Sequence, residues 1–135
     1  MFILVMLMMI LPLQQQAGVI EIKNAWMRPG AKDMNTALYF EVKNNSSQAD
    51  TLYDAKSGLA ERVEVHETYM QGDMMGMRPA KAVEIKANST FKFQPGGHHV
   101  MFINLKQNLR KGSSAEVTLY FRHAGEIKIK PEVRK

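Results

Sequence analysis

Four side chains stand at a spacing that suits a single metal ion: His66, Met77, His99 and Met101. Ten residues separate His66 from Met77 and twenty-one separate Met77 from His99, and the last two occur as His99-Val100-Met101. Imidazole nitrogen and thioether sulfur form a soft, uncharged donor set, and such donors select Cu(I). A thioether competes poorly for zinc or magnesium, and zinc prefers thiolate, imidazole or carboxylate. Two imidazoles and two thioethers leave the charge of bound Cu(I) unchanged, so the set favours Cu(I) over Cu(II). Binding needs neutral imidazole, and affinity should fall as pH drops through the histidine range.

Each residue also has an ordinary reading. A lone strand histidine is more often a surface or hydrogen-bonded residue than a ligand, and a lone methionine is more often core filler. The four positions together, with the turn Pro95-Gly96-Gly97 just ahead of His99, carry the metal reading. Met74 and Met75 read either as packing residues or as substitutes for Met77. His98 reads as a rim residue on the opposite face from His99, able to assist a ligand from behind. His123 reads as a solvated residue at a distant strand end.

The elements that must position these groups are strands. Ile20 and Ile22 alternate with Glu21 and Lys23 on the way to Trp26, and Leu38, Phe40 and Val42 alternate with Tyr39, Glu41 and Lys43. Val63 and Val65, Val83 and Ile85, Phe91 and Phe93, and Val117, Leu119 and Phe121 repeat the pattern, with Ile127 and Ile129 forming a last candidate. Asn44 to Ser47 and Pro95-Gly96-Gly97 punctuate it as turns. No segment keeps a helical period. The expected class is all-β, an antiparallel sandwich or Greek-key barrel.

Strand side chains alternate faces, so His99 and Met101 project to one side, roughly 6–7 Å apart along the chain. His66 lies out of phase with Val63 and Val65 and should leave the core face. Gln71 to Pro79, rich in methionine and glycine, reads as a loop that lays the flexible Met77 thioether over a site held by two strands. The expected geometry is two strands and one loop meeting at the end of a barrel.

Composition narrows the function classes. A chain of 135 residues with 45% hydrophobic residues suits one domain with one core. The absence of cysteine removes disulfides, thiolate metal sites and a cysteine nucleophile, and with them a blue-copper electron carrier. The net charge of +5 comes from scattered basic residues, concentrated only at Lys128, Lys130, Arg134 and Lys135, so no nucleic-acid partner is expected. No nucleophile elbow, phosphate loop or helical zinc-protease motif occurs, and the chain does not read as an enzyme.

Residues Phe2 to Leu13 form an apolar run, shorter than the roughly 20 residues needed to span a bilayer and of the length of a secretory signal's apolar region. No Lys or Arg precedes Lys23, and Gln14 to Gly18 is a weak cleavage site. The expected organisation is a signal peptide or apolar N-terminal segment over residues 1–17 and one β domain over 18–135, exported, with no stable membrane insertion of the mature domain. The bland reading of the same run is a buried N-terminal strand or an uncleaved anchor.

The chain also resembles a known family, the periplasmic Cu(I) chaperones of the PCuAC type. Their signature of His, ten residues, Met, twenty-one residues and His-x-Met is met by His66, Met77, His99 and Met101 without a gap. Asn24 to Pro29, Val65 to Thr68, Met77-Arg78-Pro79 and Pro95 to His99 look similar as well, and the likeness runs from about Ile20 to about Gly125. The resemblance implies a cupredoxin-like Greek-key barrel with an exposed Cu(I) site. It further implies periplasmic copper delivery toward cytochrome oxidase assembly, with an oxidase subunit or a Sco-type protein as acceptor. Some relatives carry a His- and Met-rich C-terminal extension for Cu(II); Glu126 to Lys135 holds neither residue, and no second, Cu(II)-binding role is expected. A monomer is expected. The competing function class is a β-sandwich that captures a peptide or glycan without metal, since a fold does not fix a function.

Overall fold

The computed structural model describes residues 19–134. The expected signal segment, 1–17, lies outside the described residues. Within them the chain forms β1 (Ile20–Met27), β2 (Thr36–Asn44), β3 (Asp50–Lys56), β4 (Ala60–Gln71), β5 (Met74–Pro79), β6 (Val83–Ile85), β7 (Ser89–Phe93), β8 (His99–Leu105), β9 (Val117–Phe121), β10 (Gly125–Ile129) and β11 (Glu132–Val133). No helix occurs among the described residues.

The strands make two sheets. The larger runs β11-β1-β2-β8-β4-β5, and β7 pairs with β2 beyond the end of β8. The smaller runs β10-β9-β3-β6. All these pairings are antiparallel except β1 with β11. The alternation seen in the sequence is what fills the space between the sheets. Leu38, Phe40 and Val42 of β2 and Val100 and Phe102 of β8 meet Leu52 of β3, Ile85 of β6 and Leu119 and Phe121 of β9 in one core, all essentially sealed from solvent. Phe40 stacks on Phe93 with ring centroids 4.4 Å apart. The all-β expectation holds.

Two local features set the face that matters. β1 gains a residue on β2 between Lys23 and Trp26, where Asn24 takes φ +54°. Such a bulge flips the phase of the strand. Met27 therefore enters the core, and Trp26 turns to the other face against Tyr39, ring centroids 4.8 Å apart. The second feature is the long β4. Its first half pairs with β8 from Ala60 to His66, and its second half pairs only with β5.

That second half corrects the sequence reading of Gln71 to Pro79 as a loop. The segment is a hairpin arm closed by the two residues Gly72-Asp73, with Gln71 paired to Met74 and Gly72 at φ +61°. Glycine with positive φ at the first central position suits the primed turns whose twist matches antiparallel strands. The methionines of the segment thus sit on β5, and three adjacent strands replace the expected two strands and a loop.

Candidate metal centre

The register brings the four residues onto one face. His66 on β4 lies directly opposite His99 on β8, and Val65 opposite Val100. Val100 is in the core, so the two histidines face away from it. Met101 follows His99 by two residues on the same face and lies opposite Glu64. Met77 lies opposite Thr68, while Pro79 lies opposite His66. His66 is therefore the hub: His99 is its direct neighbour, and Met101 and Met77 are its diagonal neighbours on the two flanking strands. Diagonal Cβ atoms stand about 7–8 Å apart, within reach of long side chains. The location differs from the expected barrel end, because the four share the outer face of the larger sheet where β8 begins.

The histidines are brought together, and the two methionines on their face are more open to solvent. The imidazole centroids of His66 and His99 are 5.7 Å apart. Both rings are buried, His66 at 9% and His99 at 3% exposure. Met101 is half-buried, and Met77 is 57% exposed.

The hydrogen bonds leave one nitrogen of each ring free. Glu64 Oε2 lies 2.7 Å from His66 Nε2; a carboxylate only accepts, so Nε2 carries the hydrogen and the neutral ring keeps its lone pair on Nδ1. His99 donates to the Gly97 carbonyl through its ring, and Nε2 has no partner, so the donor is Nδ1 and the lone pair sits on Nε2. His66 Nδ1 and His99 Nε2 are the two buried side-chain polar atoms without a partner among the described residues. Buried polar atoms are otherwise satisfied, so this pair asks for an explanation. A ligating histidine commonly ties its second nitrogen to a carboxylate or a backbone carbonyl, which orients the ring. Both arrangements occur here, one on each histidine.

Burial pushes the His99 pKa below the usual 6.5, against the raising pull of the Gly97 carbonyl; nearby His66 and His98 depress it further. The ring stays neutral, and its lone pair available, into mildly acidic solution. Among the described residues no three His, Cys, Asp or Glu side chains gather as a metal site. The thioethers of Met101 and Met77 lie on the same sheet face as the histidine pair, and thioether donors suit a soft ion.

Gly97 belongs to a turn in which its N–H donates to the Gln94 carbonyl at 2.9 Å and Gly96 takes φ +83°. The Thr68 N–H and hydroxyl also donate to the Gly97 carbonyl, at 3.2 and 2.9 Å. The turn read from Pro95-Gly96-Gly97 thereby fixes both the start of β8 and the ring of His99. His98 faces the other way, set edge-on to Phe91 and Phe93 and 3.6 Å from Glu67. His123 is exposed, as expected. Met75 shares the face of Met77, and Met74, one residue out of phase, points to the opposite face.

Sequence reasoning missed Glu64 and Tyr39. Glu64 was visible as Glu-x-His, two residues apart on one strand face. Tyr39, whose ring lies 6.3 Å from His99, depends on β2 lying beside β8 and had no local signal.

A two-sheet cupredoxin-like domain with a histidine pair flanked by methionines defines a class. Among solved structures, the copper-bound PCuAC domain from PmoF2 is similar with TM-score 0.72 and 29% identity, over 87% of this chain and 93% of that one. Cu(I)-bound DR1885 from Deinococcus radiodurans is similar with TM-score 0.67 and 27% identity, over 88% and 82%. A family model described as "Putative lipoprotein LpqE-like" matches residues 20–133, and the chain belongs to this LpqE-like family. One relative, "Putative lipoprotein Lxx21020" of Leifsonia xyli, is 34% identical over 108 residues, 79% of this chain. "Uncharacterized protein RP573" of Rickettsia prowazekii is 28% identical over 101 residues, 71% of this chain. The chain spans 64% and 56% of the length of these two relatives.

Proposed function

We propose that this protein binds Cu(I) through His66, Met77, His99 and Met101 and passes it on without chemical turnover. The observation that carries the reading is the pair of buried, unpartnered nitrogens on facing strands, each with its ring's other nitrogen already engaged. The copper-bound state of two similar solved domains supports the choice of ion. The geometry suits handover. The histidines are held rigidly by the sheet, and Met77 stands exposed on a flexible stem, able to join or leave the ion without unfolding a strand.

The proposal extends to the expected organisation. Residues 1–17 act as an export signal, residues 18–135 form the copper domain, and the site of action is the periplasm. The lipoprotein description of the family supports export. The acceptor is a copper protein of cytochrome oxidase assembly, an oxidase subunit or a Sco-type protein, and the domain works as a monomer.

An anaerobic Cu(I) titration against a colorimetric chelator tests the site. The parent takes one ion tightly. His99→Ala combined with Met77→Ala lowers affinity by more than the roughly 10–100-fold that loss of an outer hydrogen bond brings. Unchanged affinity in that variant would overturn the assignment.

A further inference from the structure

We propose that Met70 and Met75 form a second, outer Cu(I) site on the hairpin arm, a station between solvent and the buried histidine pair. The inference rests on the copper reading of that pair. Four of the large hydrophobic side chains left most exposed, Met70 at 63%, Met74 at 76%, Met75 at 65% and Met77, belong to this one hairpin. None packs into the core, so filling space does not account for them, and exposed apolar groups gathered in one place mark an interaction site.

The register distinguishes among them. Met70 lies directly opposite Met75. The turn Gly72-Asp73 is closed by Gln71 and Met74, and hydrogen-bonded and non-bonded pairs alternate along an antiparallel ladder. Met70 and Met75 are the next pair, hence non-bonded, where Cα atoms approach to about 4.5 Å and side chains are closest. Two thioethers there can converge on one soft ion with no strain on the backbone. Both lie on the face of Met77, with Met75 two residues from it, roughly 6–7 Å along the strand. Sulfur donors thus run from the hairpin tip through Met77 to the histidines. Met74 lies on the other face and takes no part. The outer pair offers two neutral sulfurs open to water and no nitrogen, so it holds copper more weakly than the buried site, as a loading or release step requires.

The test is an anaerobic titration of the full chain with Cu(I), followed by NMR of carbon-13-labelled methionine methyls and by chelator competition. The first equivalent should move the Met77 and Met101 methyls and the second those of Met70 and Met75. Met70→Leu with Met75→Leu, conservative and exposed, should reduce the ions taken from two to one and keep the tight site, while Met74→Leu should still take two. Still Met70 and Met75 methyls through the second equivalent, or a double variant that keeps two ions, would overturn the proposal. Movement of Met70 and Met75 with Met77 and Met101 unmoved would sink the buried-site reading instead and leave the outer pair standing.

Discussion

At the scale of single residues, Glu64 is the group that orients His66. Its carboxylate accepts from His66 Nε2 and also lies 3.6 Å from Arg62. It selects the tautomer that leaves Nδ1 free and stops the ring from turning. Glu64→Ala should therefore lower Cu(I) affinity by about 10–100-fold while His66 itself remains in place. Chelator competition reads the affinity, and an unchanged urea midpoint for the metal-free protein excludes a folding defect. His99 needs no such carboxylate, because the Gly97 carbonyl two residues earlier performs the same task.

At the scale of elements, the site depends on the turn before β8 and on the arm formed by β4 and β5. Gly96 holds φ +83°, a conformation that a side chain disfavours. Gly96→Ala should cost about 1 kcal/mol or more in stability, read by urea denaturation. It should also loosen the Gly97 carbonyl and so weaken Cu(I) binding beyond what stability alone predicts. The sequence predicts a loop at β5 for a physical reason. Met74 to Pro79 shows no hydrophobic alternation, because the arm packs on no core and both its faces meet solvent. Its pairing with β4 comes from the two-residue turn, and the dipeptide Gly72-Asp73 was the one local clue.

At the scale of the whole molecule, the buried His99 couples folding to pH. Its folded pKa lies below the usual 6.5, so above that value the ring is neutral in both states and stability is complete. As pH falls below 6.5 the unfolded chain takes up the proton more readily, and stability declines until the depressed folded pKa has been passed. Urea midpoints of the metal-free protein between about pH 8 and pH 5 should show this decline, and His99→Gln should flatten it. Bound metal opposes protonation of its ligands and stabilises the folded state by mass action, so saturating Cu(I) should raise the midpoint most at neutral pH.

Local chemistry alone determined the proposed donor set, the softness of the ion it suits, and the all-β class. It also placed His99 and Met101 on one face and His66 out of phase with Val65, because a strand's period of two is a property of its own backbone. The tertiary structure decided which strands are neighbours. It set His66 opposite His99, put the methionine segment on a third strand, and left one nitrogen of each ring free. A bulge at Asn24 turned Trp26 toward Tyr39 and sent Met27 inward. These outcomes follow from burying one apolar face of each sheet against the other. A slip of one residue would exchange the faces, so register is dictated by the core and cannot be read from any one strand.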